Sequence, residues 1–501
     1  MTKLMSYKRL FILLLSIFAI GRIAMSAIFP LSSDEAYHWE WSRHLDLGYY
    51  DHPPLTAYVV FIFTRIFGNT EIGVRFGAIV LMTLASIFMF KLGKDISGDM
   101  KAAFWSGILV NIVPMLNVFF VYMSTDPAAI CLWGLTLWLA WRAIFMERKG
   151  YCYLLGLVIG GGLLAKFLNI LLIPAIGIAV LLSPKRRKLL LTKKPYLCAI
   201  IALIIISPFI YWNATHNWAT FGFNLARRHE PQFGILHVLE FIMGQALVVS
   251  PLLFIGFIYS NIYSWRRWIR ERNEVHLFFG ASSSVMFVFF LLTSFFGRIG
   301  AHWTSAGYLM MCASLPYMAI NDDNKFIRRH GQKSIVVALV MLFIAYTLLS
   351  TAYFAPSALE KIVSIFTKES DRIYEMHGWL EIGMETERRA KENDAIIITP
   401  SYASCSMLSF YTPSQMQTHM FGRGAIHGLN YKFWDGDFSQ FIGMNAIWIY
   451  KKPPKKDDLE LLKKSFESIS DTQVYNIAVH GRKIRAFYFI ECRNLLKYKT
   501  D

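Results

Sequence analysis

Apolar residues in this chain run in blocks of about 20, and about 20 helical residues cross the roughly 30 Å hydrocarbon layer of a bilayer. Read this way, the pattern predicts about eleven membrane spans. They lie near residues 8–28, 73–91, 102–122, 127–146, 151–165, 168–183, 195–213, 236–260, 275–296, 301–320 and 334–354. The blocks at 151–165 and 168–183 are short for full spans, so the count ranges up to about 13. Pro53–Phe67 is apolar but short and interrupted by Arg65, and it is expected to lie along the membrane surface or dip in partway. The first block is too long for the apolar core of a cleavable leader and carries no small-residue cleavage site, so it reads as a span.

Beyond residue 355 the pattern becomes that of a water-soluble domain. Residues 369–392 predict an amphipathic helix with Ile373, Met376, Trp379, Leu380 and Met384 on one stripe. Asp394–Thr399, Ala446–Tyr450 and Ala486–Ile490 predict strands, with a helix over Asp457–Ser470. The expected organisation is a helical membrane domain over 1–355, with an external loop at 29–72, and a small α/β domain over 356–501. Neither an internal repeat nor a low-complexity tract is evident.

Composition supports the membrane reading: the chain is 55% hydrophobic with 40 Phe, and its mean hydropathy is +0.40. A net charge of +17 would suit a nucleic-acid binder, but its distribution argues otherwise. The Lys and Arg clusters at 3–9, 91–101, 142–149, 185–194, 266–272 and 325–333 flank the predicted spans on one side only, as the positive-inside rule requires of cytoplasmic loops. The N-terminus is therefore expected in the cytoplasm and the 29–72 loop and tail outside, with no nucleic-acid partner. Of the six Cys, Cys405 and Cys492 fall in the tail, where a disulfide is one arrangement and two thiols the other.

The outer loops hold the unusual polar residues, and each has a bland reading beside a chemical one. Ser32-x-x-Glu35 matches a capping box, so Asp34 and Glu35 open a helix; a cap also fixes a carboxylate, leaving Asp34 able to act as a base. Tyr37, Trp41 and Leu45 would pack that helix on the membrane surface. Asp51-His52-Pro53-Pro54 is either a helix start with Asp51 as its cap or an anion or metal site beside Tyr49 and Tyr50. Asp126, before Pro127, is a natural N-cap or a functional acid. Lys166, between two apolar half-spans on the side where Lys is sparse, should snorkel or pair with an acid or, preferably, a phosphate. The loop with His216 and Trp218, followed by Arg227 and Arg228, and the loop with Arg298 and His302 place basic groups outside, where a ligand phosphate would explain them.

In order along the chain, Asp34-Glu35, Gly48-Tyr-Tyr-Asp-His-Pro-Pro-Leu55, Ser124-Thr-Asp-Pro127, Leu163-Leu-Ala-Lys166, Trp212-Asn-Ala-Thr-His-Asn-Trp218 and His302-Trp303 form a set. With these the chain resembles the bacterial polyprenyl-phosphate-sugar glycosyltransferases of the GT-C fold, relatives of protein O-mannosyltransferases and of the aminoarabinose transferase that modifies lipid A. The resemblance covers most of residues 1–320.

It implies a polytopic α-helical enzyme of a bacterial inner membrane, with its active site and tail periplasmic. The implied activity is inverting transfer of a sugar from a polyprenyl-phosphate donor to lipid A or another envelope glycan. It further implies Asp34 as general base with Glu35 beside it. Donor phosphate would be held by His52, Lys166, Arg227, Arg228 and Arg298, and the substrate pocket formed by Tyr37, Tyr49, Tyr50, Asp126, Trp218 and His302. A divalent metal ion would sit on Asp51 with His216. His52 departs from the family, which has Lys there; His titrates near neutrality, so Lys166 or an outer Arg would supply the fixed charge. The rivals are a protein O-mannosyltransferase-like enzyme and a lipid-linked sugar transporter. A transporter predicts mid-span ionisable residues and paired broken helices in two similar halves, and the sequence shows little of either.

Overall fold

The computed structural model describes all residues except 1–5, 225–232, 364–372, 423–427, 429, 480–481 and 499–501. Arg227 and Arg228 lie outside the described residues. The chain forms two compact units. One comprises Met1–Ser26, His52–Thr56 and Arg75–Ala345; the other comprises Ala27–Asp51, Ala57–Val74 and Tyr346–Asp501. The second unit thus takes in most of the 29–72 loop along with the tail.

The first unit is helical. Among the described residues of the chain, six helices are long and apolar enough to cross a membrane: Tyr7–Ile28, Glu71–Ser97, Thr125–Phe145, Lys194–Thr215, Glu274–Phe296 and Lys325–Phe354. Two bent pairs raise this to as many as eight. Shorter apolar helices follow at Leu55–Phe67, Met100–Ile112 and Tyr151–Ala165. The 13 residues of Leu55–Phe67 reach about 20 Å at 1.5 Å per residue, short of a bilayer. The block expected as one span over 236–260 breaks at Ser250–Pro251, where helices Ile235–Val249 and Pro251–Glu271 meet at 109°. Ser250 has φ +98°, and Pro251 donates no backbone N–H, so the break falls where helix propagation is weakest. Pro114 ends the 102–122 block early, at Ile112.

Small residues set the closest packing in this unit. Helices 151–165 and 194–215 meet at Gly156 and Gly160, where a Cβ would lie 2.5 Å from the Cys198 carbonyl and 2.6 Å from Ile205 Cβ. Side chains there would hold the backbones apart, as small-x-x-x-small contacts in membranes require. Inside the helix Tyr7–Ile28, Arg22 is buried, donates to Asn111 Oδ1 at 3.0 Å and stacks 3.4 Å over the Phe120 ring.

The second unit holds a six-stranded sheet: β1 (Ala395–Thr399), β2 (Thr418–Met420), β3 (Asn445–Tyr450), β4 (Phe466–Ile469), β5 (Gln473–Val479) and β6 (Arg482–Leu495). The order is β2-β1-β3-β6-β4, with β5 also pairing β6. β1 is parallel to β2 and β3, and β6 is antiparallel to β3, β4 and β5. The three expected strands stand. The expected helix over 457–470 ends at Ser465 and gives way to β4. Of the helix expected over 369–392, residues 369–372 lie outside the described residues, and the helix that forms starts at Trp379, after Gly378 with φ +82°. Its buried face carries Trp379, Ile382, Gly383 and Ala390, while Leu380 and Met384 are exposed. Gly383 is essential there, because a Cβ would lie 2.2 Å from the Tyr411 carbonyl. Cys405 and Cys492 are free thiols buried in separate apolar clusters.

Glu385 on this helix is held down at about 2, chiefly by hydrogen bonds from Arg388 and then Arg389, from an ordinary value of 4.5. A depressed carboxylate stabilises the fold above its ordinary value and loses that contribution as pH falls from 4.5 toward 2. Glu385→Gln should therefore cost the unit about 1 kcal/mol at pH 7, discounted for solvent contact. The difference from wild type should shrink toward pH 2, as read by hydrogen exchange of the Trp379–Glu392 amides in the full chain.

Candidate active site

In the second unit the site is built on the helix Ser33–Arg43. Ser32 accepts from the Glu35 N–H at 3.3 Å, and the Ser32 N–H donates to Glu35 Oε2 at 2.9 Å, so the capping box forms as expected. Glu35 is buried and its carboxylate closes that box. Asp34, one residue earlier and half-buried, accepts from the Tyr402 hydroxyl at 3.2 Å. Burial first, and the Asp34 charge second, push the Tyr402 phenol well up, so Tyr402 stays a neutral donor over the physiological range. Tyr402 is itself held in place: Gly428 has φ +78°, and a Cβ there would lie 2.1 Å from Tyr402 Cβ.

Tyr37 and Trp41 do not face a membrane surface. They are buried with Tyr49, Ala57, Cys405, Met420 and Tyr431, while Leu45 is exposed. Asp51 is not a helix cap, since the next helix begins at Leu55. Its Oδ1 accepts from the Tyr37 hydroxyl and the Asn430 amide, each at 3.3 Å. Asn430 also donates to the Tyr37 hydroxyl at 2.8 Å and accepts from the Tyr50 N–H at 2.7 Å. The Tyr37 phenol is raised by burial and then by Asp51. Tyr49 stacks on Trp41 and donates to the Trp41 and His44 carbonyls, so its hydroxyl braces the loop. Tyr402 and Asn430 were not legible as site residues; they come from tail segments with no motif of their own.

In the first unit, Ser124 rather than Asp126 is the N-cap of the helix that begins at Thr125. Asp126, in the first turn, accepts from Lys166 Nζ at 2.8 Å, with both side chains about nine-tenths buried. Lys166 follows the end of the helix Tyr151–Ala165. Gly162 leaves room for Asn169, whose amide lies 2.8 Å from where a Cβ would stand and donates to the Ala129 carbonyl at 3.1 Å. That bond ties the Lys166 turn to the Asp126 helix. Lys166 is thus paired with an acid, one of the partners expected for it, and this contact uses one of its three N–H donors.

His52 is half-buried. The loop after helix Lys194–Thr215 is pinned by buried Asn213, which accepts from the Trp218 and Thr220 N–H groups. Asn217 and Trp218 both take φ +54°, a left-handed pair that two bulky residues adopt only when their surroundings enforce it. His216 stacks on Trp212 at 4.1 Å, with Nδ1 2.8 Å from the Trp212 carbonyl. Arg298 is 78% exposed and pairs with Glu240 at 3.1 Å, a surface ion pair of small energy. His302 is exposed, and its loop is fastened by buried Gln245, which donates to the Ala301 carbonyl and accepts from Thr304 and Tyr308.

No three His, Cys, Asp or Glu side chains are grouped as metal ligands among the described residues. Asp51 Oδ1 meets two neutral donors, the Tyr37 hydroxyl and the Asn430 amide.

The dolichyl-phosphate-mannose-protein mannosyltransferase family model matches residues 51–212. The chain is 28% identical over 245 residues to the lipid A galacturonosyltransferase RgtD of Rhizobium johnstonii, covering 48% of this chain and 50% of that one. It is 27% identical over 262 residues to the undecaprenyl phosphate-alpha-4-amino-4-deoxy-L-arabinose arabinosyl transferase of an Enterobacter species, covering 48% and 44%. The chain thus spans about half the length of the curated relatives it matches. The crystal structure of ArnT from Cupriavidus metallidurans in the apo state superposes with a TM-score of 0.65 at 14% identity, over 96% of this chain and 97% of that one. The same protein bound to undecaprenyl phosphate gives 0.62 at 15% identity, over 96% and 97%. The chain has the GT-C glycosyltransferase fold, with six to eight spans among its described residues long and apolar enough to cross a membrane.

Proposed function

We propose that this protein is an inverting glycosyltransferase that moves a sugar from an undecaprenyl-phosphate-type donor to lipid A or a related envelope glycan at the periplasmic face of a bacterial inner membrane. The observation that carries the reading is Asp34, a half-buried carboxylate at the start of a capped helix with a neutral phenol as its hydrogen-bond donor. The fold shared with ArnT supports it, as do two relatives named for a lipid A acceptor and an undecaprenyl-phosphate-linked donor. In this reading about eleven spans place the 29–72 loop and the tail outside the cytoplasm.

The acceptor hydroxyl attacks the anomeric carbon from the face opposite the phosphate, and Asp34 takes its proton as the new C–O bond forms. The old C–O bond breaks with its electron pair leaving on the prenyl phosphate, so the anomeric centre inverts. His52 and Lys166 are assigned to the phosphate, where positive charge lowers the barrier to departure; Arg227, Arg228 and Arg298 are the further cations. No step passes through a metal.

Tyr402 positions Asp34 rather than touching substrate. Tyr402→Phe should lower kcat by up to about 10–100-fold, the value of one hydrogen bond to a charged group, with KM for the donor unchanged. A raised KM with intact kcat would reassign Tyr402 to substrate binding. The function itself is tested by mass spectrometry of lipid A from cells with and without this gene, where a single hexuronosyl or pentosyl mass increment is expected. An increment on envelope proteins instead would favour the protein O-mannosyltransferase reading, to which the family model over residues 51–212 lends weight.

A further inference from the structure

A cavity of about 500 Å³ lies in the first unit, lined by none of the residues assigned to transfer. That volume is within the roughly 300–1,000 Å³ range of built ligand sites. Its walls come from helices Met100–Ile112, Pro251–Glu271, Tyr308–Ile320 and Lys325–Phe354, and include Trp105, Leu109, Leu253, Leu315 and Ile335. At its rim stand Lys101 and Arg328, with Asp323 paired to Arg328 at 2.6 Å. These rim residues belong to the Lys/Arg clusters that mark the cytoplasmic side by the positive-inside rule.

Three features point to what fills it. The 109° bend at Ser250–Pro251 turns Pro251–Glu271 nearly across the preceding helix, as suits an amphipathic helix in the plane of a leaflet. Just beyond the cavity, Val336, Leu339, Val340 and Phe343 on Lys325–Phe354 are exposed apolar side chains, so that helix faces lipid. Gly331 lines the cavity with no atom within 4 Å of where its Cβ would stand. A mid-helix Gly is destabilising relative to Ala, and here its missing side chain keeps a wall open.

We propose that this cavity binds one anionic glycerophospholipid of the cytoplasmic leaflet, its phosphate between Lys101 and Arg328 and an acyl chain along the wall of Trp105, Leu109 and Leu315. Basic pockets between spanning helices on the cytoplasmic side take such headgroups. With Asp323 offsetting one of the two cations, the rim carries a net single positive charge, and the complementary ligand is an anionic rather than a zwitterionic headgroup. His330 closes the inner side, its Nε2 2.8 Å from the Leu252 carbonyl, which holds Lys325–Phe354 against the bend.

The test is native mass spectrometry of the full chain, delipidated in detergent and then offered phosphatidylglycerol or phosphatidylcholine with identical acyl chains. Wild type should retain the first about fivefold over the second, the preference expected of one net charge. Lys101→Gln with Arg328→Gln should abolish that preference, and Gly331→Trp should lower retention of both lipids by filling the space. Should Gly331→Trp not purify, Gly331→Leu gives the same readout. Equal retention of the two lipids by wild type, or unchanged retention by a filled-cavity variant, overturns the proposal.

Discussion

Asp34→Asn is expected to cut sugar transfer by about 10²–10⁴, the contribution of a positioned general base. Asn has nearly the same shape, and its side-chain oxygen can still accept the Tyr402 hydroxyl that Asp34 accepts at 3.2 Å. What it lacks is the ability to take a proton. The capping box runs through Ser32 and Glu35, so the helix start survives the substitution. The charge lost near that helix N-terminus is worth about 0.3–1 kcal/mol, too little to unfold the unit. The expected result is a variant that melts close to wild type while lipid A extracted from cells carries almost none of the added sugar. A variant with the wild-type rate would take the base role away from Asp34. Loss of the sugar together with loss of the folded protein is checked by Glu35→Ala, which removes the cap's side-chain acceptor while leaving the base.

The helices and strands most legible in the sequence were those whose pattern answers to one local rule. Long apolar blocks correspond to the six described helices long and apolar enough to cross a membrane, because crossing length is set by the bilayer. Ser32 and Glu35 gave the capping box, because its two hydrogen bonds close within four residues. Span count was harder: Ser250–Pro251 and Pro114 break apolar blocks that composition alone reads as continuous. The tail helix over 379–392 was assigned the wrong face because its buried side is chosen by Tyr411 and its surroundings rather than by its own apolar residues. The site shows the same division. Asp34 and Asp51 stood out as acids in an aromatic loop, but their hydrogen-bond donors, Tyr402 and Asn430, lie hundreds of residues away in sequence. No periodicity connects such positions. Lys166 was recognised as a charge out of place, yet its pairing with Asp126 depends on how two helix ends meet. Arg22 is readable as a charge within an apolar block, but its partners Asn111 and Phe120 lie far away in sequence.

The Asp126–Lys166 pair separates what holds the membrane unit together from what serves the donor. Each side chain is about nine-tenths buried and 2.8 Å from the other, so removing either leaves an unpartnered charge in a low-dielectric setting. Asp126→Asn and Lys166→Met should each destabilise the protein by about 3–5 kcal/mol. The double variant should lose much less than the sum, because no buried charge remains and a neutral, well-packed replacement of an ion pair is often nearly neutral in stability. Activity should follow a different rule. If Lys166 meets the donor phosphate by exchanging Asp126 for it, the double variant folds but stays slow, with the loss appearing when the departing phosphate must be stabilised. Thermal melts of the four proteins in one detergent give the first comparison, and sugar addition to lipid A gives the second. A double variant with both stability and transfer restored would make the pair a structural brace and leave the phosphate to His52 and the arginines; additive losses in stability would mean that the two charges are not coupled at all.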